Sequence, residues 1–484
     1  MGPARGTQAR GMRRARLDQQ PAGLSVAERA ARGKAARETV PRQSHAAFKP
    51  AHDRPDAVIL LERQATSRLQ ELLPIRYGRM MASAFAFFRG AALPMASDLA
   101  MTPATGLIVQ ACGDAHLANF GIFASPERRL VFDINDFDET LPAPWEWDIK
   151  RLAASIEVAG QGNGFTRGQN RAAVLAAVAQ YRKAMRRFAG LGQLDVWYAH
   201  AELDEMGVQY QALLDAGERK LATADLTSAR DKDGRQALDK LTSIVAGQRK
   251  IVSDPPLLVP LADMPAAEVR DGLEPQLNGI IANYRRTLES DRGYLLDHFE
   301  VADIARKVVG VGSVGMRCWI VLLLGRDVSD ALFLQLKEAD ASVLAAFASA
   351  SRYANQGQRV VAGQRLMQAS SDIFLGWDRA RSGASEQPRD FYVRQLRDWK
   401  FSLAIEAMGP TTLRAYAELC GRTLARAHAR SGDRIAIGAY LGGSDVFDRA
   451  IADFAAAYAK QNERDLASLG AAVASGRVPA ERGI

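Results

Sequence analysis

ACGDAHLANFG, residues 111–121, followed by LVFDINDFDET, residues 130–140, packs Asp114, His116 and Asn119 into one loop and sets Asp133, Asp136, Asp138 and Glu139 close behind it. Carboxylates repel one another and are costly to desolvate, so such a cluster either stands exposed at a turn or surrounds a cation. The apolar runs GLIVQA and RRLVF lead into the two parts and read as buried strands, joined through the Ser125-Pro126 turn. A structural turn explains one aspartate after a buried strand, but poorly explains this many.

The bulk sequence narrows the setting. The 484 residues are 48% hydrophobic and 24% charged, which suits a soluble protein with a large core and two or three lobes. No apolar run is long enough to span a membrane, and no secretory signal opens the chain. Cys112, Cys318 and Cys420 are scattered and form no CxxC pair, which points to a reduced, cytoplasmic protein without structural zinc. The net charge of +8 comes from the first 50 residues, with 11 Lys/Arg against 3 Asp/Glu; residues 51–484 carry 52 of each sign. Residues 1–37 therefore read as a disordered basic tail, dispensable for chemistry, with contact to RNA or anionic lipid as the alternative.

AVILLERQATSRLQELLPIRYGRMMASAFAFFRG reads as helix broken at Pro74 and Gly90. Residues 146–300 read as mostly helical, without an isolable chemical motif. ARKVVGV, MRCWIVLLLG and ALFLQLKEA are β-rich and separated by turn signals, and SDIFLGWD and RDFYVRQLRDW supply two further strands. From Thr411 the chain returns to helix, with Leu413, Tyr416, Cys420, Leu424 and Ala427 on one face and Phe447, Ile451, Phe454 and Tyr458 on another.

GVGSVG, residues 310–315, lies between two strands. A dinucleotide fingerprint needs a helix after the glycines, whereas a strand–glycine loop–strand arrangement lays backbone N–H groups over nucleotide phosphates. Gly310, Gly312, Ser313 and Gly315 are the candidate phosphate cover, and Lys337 on the next strand is the candidate phosphate partner. A tight turn and a solvated strand-end lysine are the alternatives. Asn119 follows Asp114 by five residues, the spacing at which a kinase catalytic loop places its base and a metal-binding asparagine.

GDAHLAN resembles the G-D-x-H-x-x-N loop of the aminoglycoside phosphotransferase and choline kinase branch of the protein-kinase-like superfamily. NDFDET resembles its I-D-F-x-D metal motif, and WEWDIKRLA the helix start that follows. The resemblance implies Asp114 as base, Asn119 and Asp136 as Mg²⁺ ligands, Asp138 as a possible second acidic ligand, and Asp148 as a brace for the catalytic loop. Cys112 stands where a scaffold histidine often precedes G-D. Across residues of roughly 38–470 the chain is similar to the bacterial domain of unknown function 2252, on RMMASAFAFFRGAA, GDAHLANFG, DINDFDET, EWDIKRLAAS and QRLMQASSDIFLGW.

The motif order is reversed relative to a kinase, since the glycine loop follows the catalytic loop by about 200 residues. FYVRQLRDW resembles the fifth strand and hinge of a kinase N-lobe, and YAELCGRTLARAHARSG the helix that runs into the catalytic loop, with His428 at its end. The expected fold is therefore α+β, two-lobed and kinase-like, circularly permuted between that helix and that loop. A helical catalytic lobe occupies 38–300, a β-rich nucleotide lobe 301–400, and 401–484 return to the first lobe. Asp433, in the look-alike Ser-Gly-Asp, has Gly438 rather than Asn five residues on, so it is not the metal loop. No acidic residue except Asp340 lies between Glu338 and Asp372, so the glutamate that should hold Lys337 is missing; Gln358, Gln364 or Gln368 could replace it. The expected function is ATP- and Mg²⁺-dependent phosphoryl transfer to a small hydroxylated molecule. A nucleotide-binding pseudoenzyme and a metal-dependent hydrolase using Asp114, His116, Asp136 and Asp138 are the alternatives.

Overall fold

The computed structural model describes residues 23–199, 234–264, 272–380, 388–396 and 403–484. Among these, helices and strands form an α+β structure, and no helix is long and apolar enough to cross a membrane.

The first half carries β1 (Ile108–Ala111), β2 (Phe120–Ala124), β3 (Leu130–Ile134) and β4 (Leu141–Pro144). β1 pairs with β4 and β2 with β3, both antiparallel. The Ser125-Pro126 turn thus closes the β2–β3 hairpin rather than joining the two strands read from the sequence. β2 escaped notice because its five residues directly follow the polar loop. The hairpin and the β1–β4 pair present the 112–119 and 135–140 loops at one end. Behind them pack the helices Trp145–Gly162, Arg167–Ala189 and Pro410–Ser431. Leu413, Tyr416, Cys420, Leu424 and Ala427 are all buried, as their spacing requires.

Later in the chain, β5 (Thr242–Val245) and β6 (Gln248–Ile251) form a hairpin of their own. A six-stranded sheet is built from β7 (Leu258–Pro260), β8 (Glu300–Lys307), β9 (Cys318–Leu324), β10 (Ala331–Glu338), β11 (Gly376–Ala380) and β12 (Arg389–Gln395). Its spatial order is β11-β12-β10-β9-β8-β7, antiparallel throughout. The glycine loop joins β8 to β9, and the helix Gln356–Met367 lies between β10 and β11 in sequence. β7 and the helix Glu274–Tyr284, which packs on β11, extend this unit back into the stretch assigned to the helical lobe. The hinge expected after β12 begins at residue 397, outside the described residues.

Two readings of the N-terminal region change. Pro74 starts the helix Leu73–Met80 instead of breaking one, because a first-turn residue needs no N–H. Residues 1–22 lie outside the described residues, but the remainder of the expected tail is a docked helix, Val26–Thr39. Ser25 and Glu28 form its capping box. Arg29 pairs with Asp433 at 2.9 Å, while Arg37 and Arg42 donate to the terminal carbonyls of the helix Arg434–Leu441. Its charge is therefore spent on local partners.

Gly33 sits where the two helices touch, and a Cβ there would collide with the Ala436 carbonyl oxygen. Gly33→Ala should destabilise the protein by roughly 1–3 kcal/mol through overpacking, despite the better helix propensity of alanine. Urea denaturation checks this; an unchanged or raised midpoint would show that the helix is not docked.

Candidate functional site

The 112–119 loop is fixed from below by a buried carboxylate. Asp148, in the first turn of the helix Trp145–Gly162, accepts the backbone N–H of Cys112 (2.6 Å) and of Gly113 (2.9 Å). Nε2 of His428 lies 3.1 Å from the same Asp148 carboxylate, and its Nδ1 2.8 Å from the Tyr181 hydroxyl. Gly113 has φ +83°, and a Cβ there would collide with the Glu139 carbonyl, so glycine lets the two acidic loops approach. Cys112 Sγ bridges them at 3.4 Å from the Asp136 carbonyl.

Asp114 emerges from this platform with its side chain 19% exposed. Arg151 Nε donates to its Oδ1 at 2.5 Å, and His116 Nε2 lies 3.6 Å from Oδ2. Burial pushes the Asp114 carboxyl up to about 6; Arg151 opposes the rise and Asp136 adds to it. Burial, with Arg151 and Arg89 nearby, pushes His116 well below its ordinary value, leaving a neutral imidazole. Asn119 Nδ2 donates to the Asp114 carbonyl at 2.6 Å, which fixes the asparagine against Asp114.

The carboxylates of the second loop divide by burial. Asp133 is enclosed, accepting from Arg426 (2.5 Å) and the Ala369 N–H (2.9 Å), so it is structural. Asp136 is 32% exposed and accepts the Asp138 N–H at 3.1 Å. Glu139 takes the Val343 N–H at 2.7 Å, and burial pushes its carboxyl up to about 7.

Lys337 joins the sheet to this loop. Strand alternation sends Leu334 and Leu336 into one core of the sheet and Gln335 and Lys337 to the opposite face. There Lys337 Nζ donates to Asp138 Oδ2 and lies 3.9 Å from Asp136 Oδ2, across 199 positions of sequence. Tyr392, directly opposite Lys337 on β12, donates its hydroxyl to Asp138 Oδ1 at 2.8 Å. Burial works against the lysine charge, but Asp136 and Asp138 outweigh it and carry Lys337 above its ordinary value.

The glutamines proposed as partners for Lys337 do not serve. Gln364 donates to Gln368 (2.9 Å), Gln368 to the Ile134 carbonyl (2.6 Å), and the Gln358 backbone N–H to the Asn355 side chain. The same helix instead supplies Arg359, which donates at 2.8 Å to the carbonyls of Thr140, Asp138 and Asp340. Arg359, Arg151 and Tyr392 are the residues that sequence reasoning missed. No motif marks them, although Arg151 stands in the WEWDIKR helix start.

The glycine loop closes over these groups. Gly310 and Gly315 take φ of +63° and +86°, and Ser313 Oγ lies 3.5 Å from Asp138 Oδ2. Gly310, Gly312 and Ser313 line one cleft with Asp114, Asn119, Asp136 and Asp138. Its cavity is about 90 Å³, below the ~300–1,000 Å³ of a ligand-sized pocket. The N-terminal helices hold that loop: Leu69 N–H donates to Gly315 O (2.8 Å) and Arg79 to Gly310 O (2.6 Å). Among the described residues no three His, Cys, Asp or Glu side chains converge on a ready metal site.

The profile of the family described as "Uncharacterized protein conserved in bacteria (DUF2252)" matches residues 68–472. The chain belongs to this DUF2252 family. Neither the curated proteins nor the solved structures contain a match. The span matched by DUF2252 takes in the acidic loops, the glycine loop, Lys337 and the helix Pro410–Ser431 that carries His428. Asp433 lies within it but outside the cleft, capping the helix Arg434–Leu441 through the Ala436 N–H (3.1 Å).

Replacing Asp148 with alanine should strand two buried N–H groups and His428, costing roughly 3–5 kcal/mol. Equilibrium denaturation of Asp148→Ala measures this; a loss below about 1 kcal/mol, the worth of an ordinary hydrogen bond, would mean that the loop does not depend on the brace.

Proposed function

We propose that this protein is an ATP- and Mg²⁺-dependent phosphotransferase with a circularly permuted, kinase-like fold, acting on a small hydroxylated molecule. The observation that carries the reading is the shared cleft. A lysine on the strand after a glycine hairpin meets the acidic loop, while Asp114 and Asn119 stand beside them. Helix and strand positions support the permutation. The Gln110 N–H on β1 donates to Ser431 Oγ at the end of the helix Pro410–Ser431, at 3.1 Å. Rejoining that helix to β1 would restore the kinase order of helix, then catalytic loop.

The donor chemistry fits Mg²⁺, which takes hard oxygen ligands, keeps several waters and leans on substrate phosphates rather than on an all-protein cage. Asn119 and the half-exposed Asp136 would hold it, and the ion would neutralise charge on the phosphates. Asp138 fits less well as a ligand, because Lys337 and Tyr392 already engage its two oxygens; its role here is to position the lysine. That pairing supplies the counter-charge that the helix Gln356–Met367 lacks. Asp114 takes the proton of the attacking hydroxyl, and Arg151 orients it.

The closed cleft favours one second reading, a nucleotide-binding protein without turnover. ATP turnover separates the two. The metal-hydrolase alternative has less support, given no ready three-ligand group among the described residues.

ATP with Mg²⁺ at about 100 times Kd should stabilise the fold by roughly 2.7 kcal/mol. Asp136→Asn and Lys337→Met should each remove most of that shift, and the double variant little more, because both act through one bound unit. Thermal melting checks this, each variant being compared with its own ligand-free form; additive losses, or a shift that survives Lys337→Met, would indicate separate sites.

Turnover should also track the Asp114 carboxyl. A base with its pKa at about 6 is protonated and idle below that pH, so kcat/KM should rise through pH about 6 and level off above it. Asp114→Asn should lose roughly 10²-fold or more in rate while still binding Mg-ATP. ATP turnover across pH 4.5–8 is the measurement; a profile flat through pH 6, or a variant that no longer binds, would remove Asp114 from the role of base.

A further inference from the structure

Three arginines of the N-terminal region, Arg68 in the bend after the helix Ala57–Ala65 and Arg76 and Arg89 on the helices that follow, stand at or behind this cleft without a carboxylate in ion-pair contact. Arg68 lines it, is 8% exposed, and gives one hydrogen bond, from Nη1 to the Val314 carbonyl at 2.5 Å. Arg89 lines it too, and its buried Nε has no hydrogen-bond partner. Behind them Arg76 is fully buried. It donates Nη2 to Gln64 Oε1 at 2.8 Å, and its Nε and Nη1 have no partner. Gln64 in turn lines the cleft.

Of the other cations at the site, Arg151 is paired with Asp114 and Lys337 with Asp138, while Arg359 and Arg394 donate to carbonyl and amide oxygens of the surrounding loops and sheet. Among the described residues no carboxylate comes within ion-pair distance of Arg68, Arg76 or Arg89. A buried charge without a partner is strongly destabilising, so an arrangement of three calls for an anion from solution. Burial pushes all three guanidinium groups below their ordinary values, against the more distant pull of Asp340, Glu139 and Asp138 on Arg68 and of Glu406 and Asp114 on Arg89, and Arg76, beside Arg68, comes down to about 9.

Their placement says which anion. The Arg89 carbonyl lies 3.3 Å from where a Gly312 Cβ would stand, and the Arg68 side chain 3.0 Å from that of Gly315. Both arginines therefore flank the backbone of the glycine loop, and a guanidinium fork suits the paired oxygens of a phosphate. We propose that Arg68 and Arg89 form an oxyanion subsite that takes a phosphate group, with Arg76 orienting Gln64 behind it. The inference rests on reading the cleft as a phosphoryl-transfer site and adds a recognition element outside the glycine loop, the lysine and the metal. The phosphate belongs either to the nucleotide or to an acceptor that already carries one.

The test uses tripolyphosphate without divalent cations, titrated into the full-length protein by calorimetry and thermal melting. Tripolyphosphate should bind and raise the melting temperature, and Arg89→Gln and Arg68→Gln should each weaken binding at least tenfold. Arg89→Gln should also melt no lower than the wild type without ligand, because it removes an uncompensated charge. An arginine kept for packing alone would lower that temperature. Competition between tripolyphosphate and Mg-ATP assigns the phosphate to the nucleotide; simultaneous binding assigns it to the acceptor. Absent binding, or binding unchanged in both variants, overturns the subsite even where Asp136 and Lys337 govern the Mg-ATP response. Loss in the arginine variants with a Mg-ATP response indifferent to Asp136 and Lys337 keeps the subsite and removes the kinase-like reading instead.

Discussion

The ion pair between Lys337 and Asp138 is the contact on which the arrangement of the cleft depends. It spans 199 positions of sequence and fastens a sheet strand to a loop of the helical half. Both groups are largely buried, with exposures of 2% and 16%, so either alone would be costly. Tyr392 meets the other Asp138 oxygen, and Arg359 fixes the loop backbone from the neighbouring helix. The glycine loop then comes down beside the same aspartate.

Burial separates the acidic residues into two jobs. Asp133 and Asp148 are enclosed and fully engaged, and they set the two loops in place. Asp114 and Asp136 keep exposed oxygen and face the cleft. Burial of these charges raises the Asp114 and Glu139 carboxyls and leaves guanidinium nitrogens of Arg76 and Arg89 without a hydrogen-bond partner. The proposed ligand, a polyanion carrying a divalent cation, would complement both groups, supplying negative charge to the arginines and positive charge to the carboxylates. Neither a neutral ligand nor a bare cation would do both.

Much of this was legible in the sequence, because local chemistry was decisive there. The glycine run followed by FLQLK singled out Lys337, and the resemblance of WEWDIKRLA to a kinase-like helix start singled out Asp148. The same resemblance singled out Asp136 rather than Asp133, which the structure encloses. What stayed hidden depends on tertiary placement. Arg151 and Arg359 hold the two motif loops from distant helices and carry no motif themselves. Short β2 looked like part of the loop before it. Residues 23–37 were misread because composition reports charge and not its partners; Arg29 and Arg37, with Arg42 just beyond, find theirs on the helix Arg434–Leu441 and its N-cap, some 400 residues away. Capping signals at Ser25 and Glu28 were the local evidence for structure there.

A crystal structure with Mn²⁺ and a non-hydrolysable ATP analogue tests the central claim most directly, since the anomalous signal locates the metal without regard to fold arguments. The account predicts one manganese peak bound by Asp136 and Asn119, with the phosphates between Lys337 and the glycine loop. Metal or phosphates bound away from that cleft would contradict it.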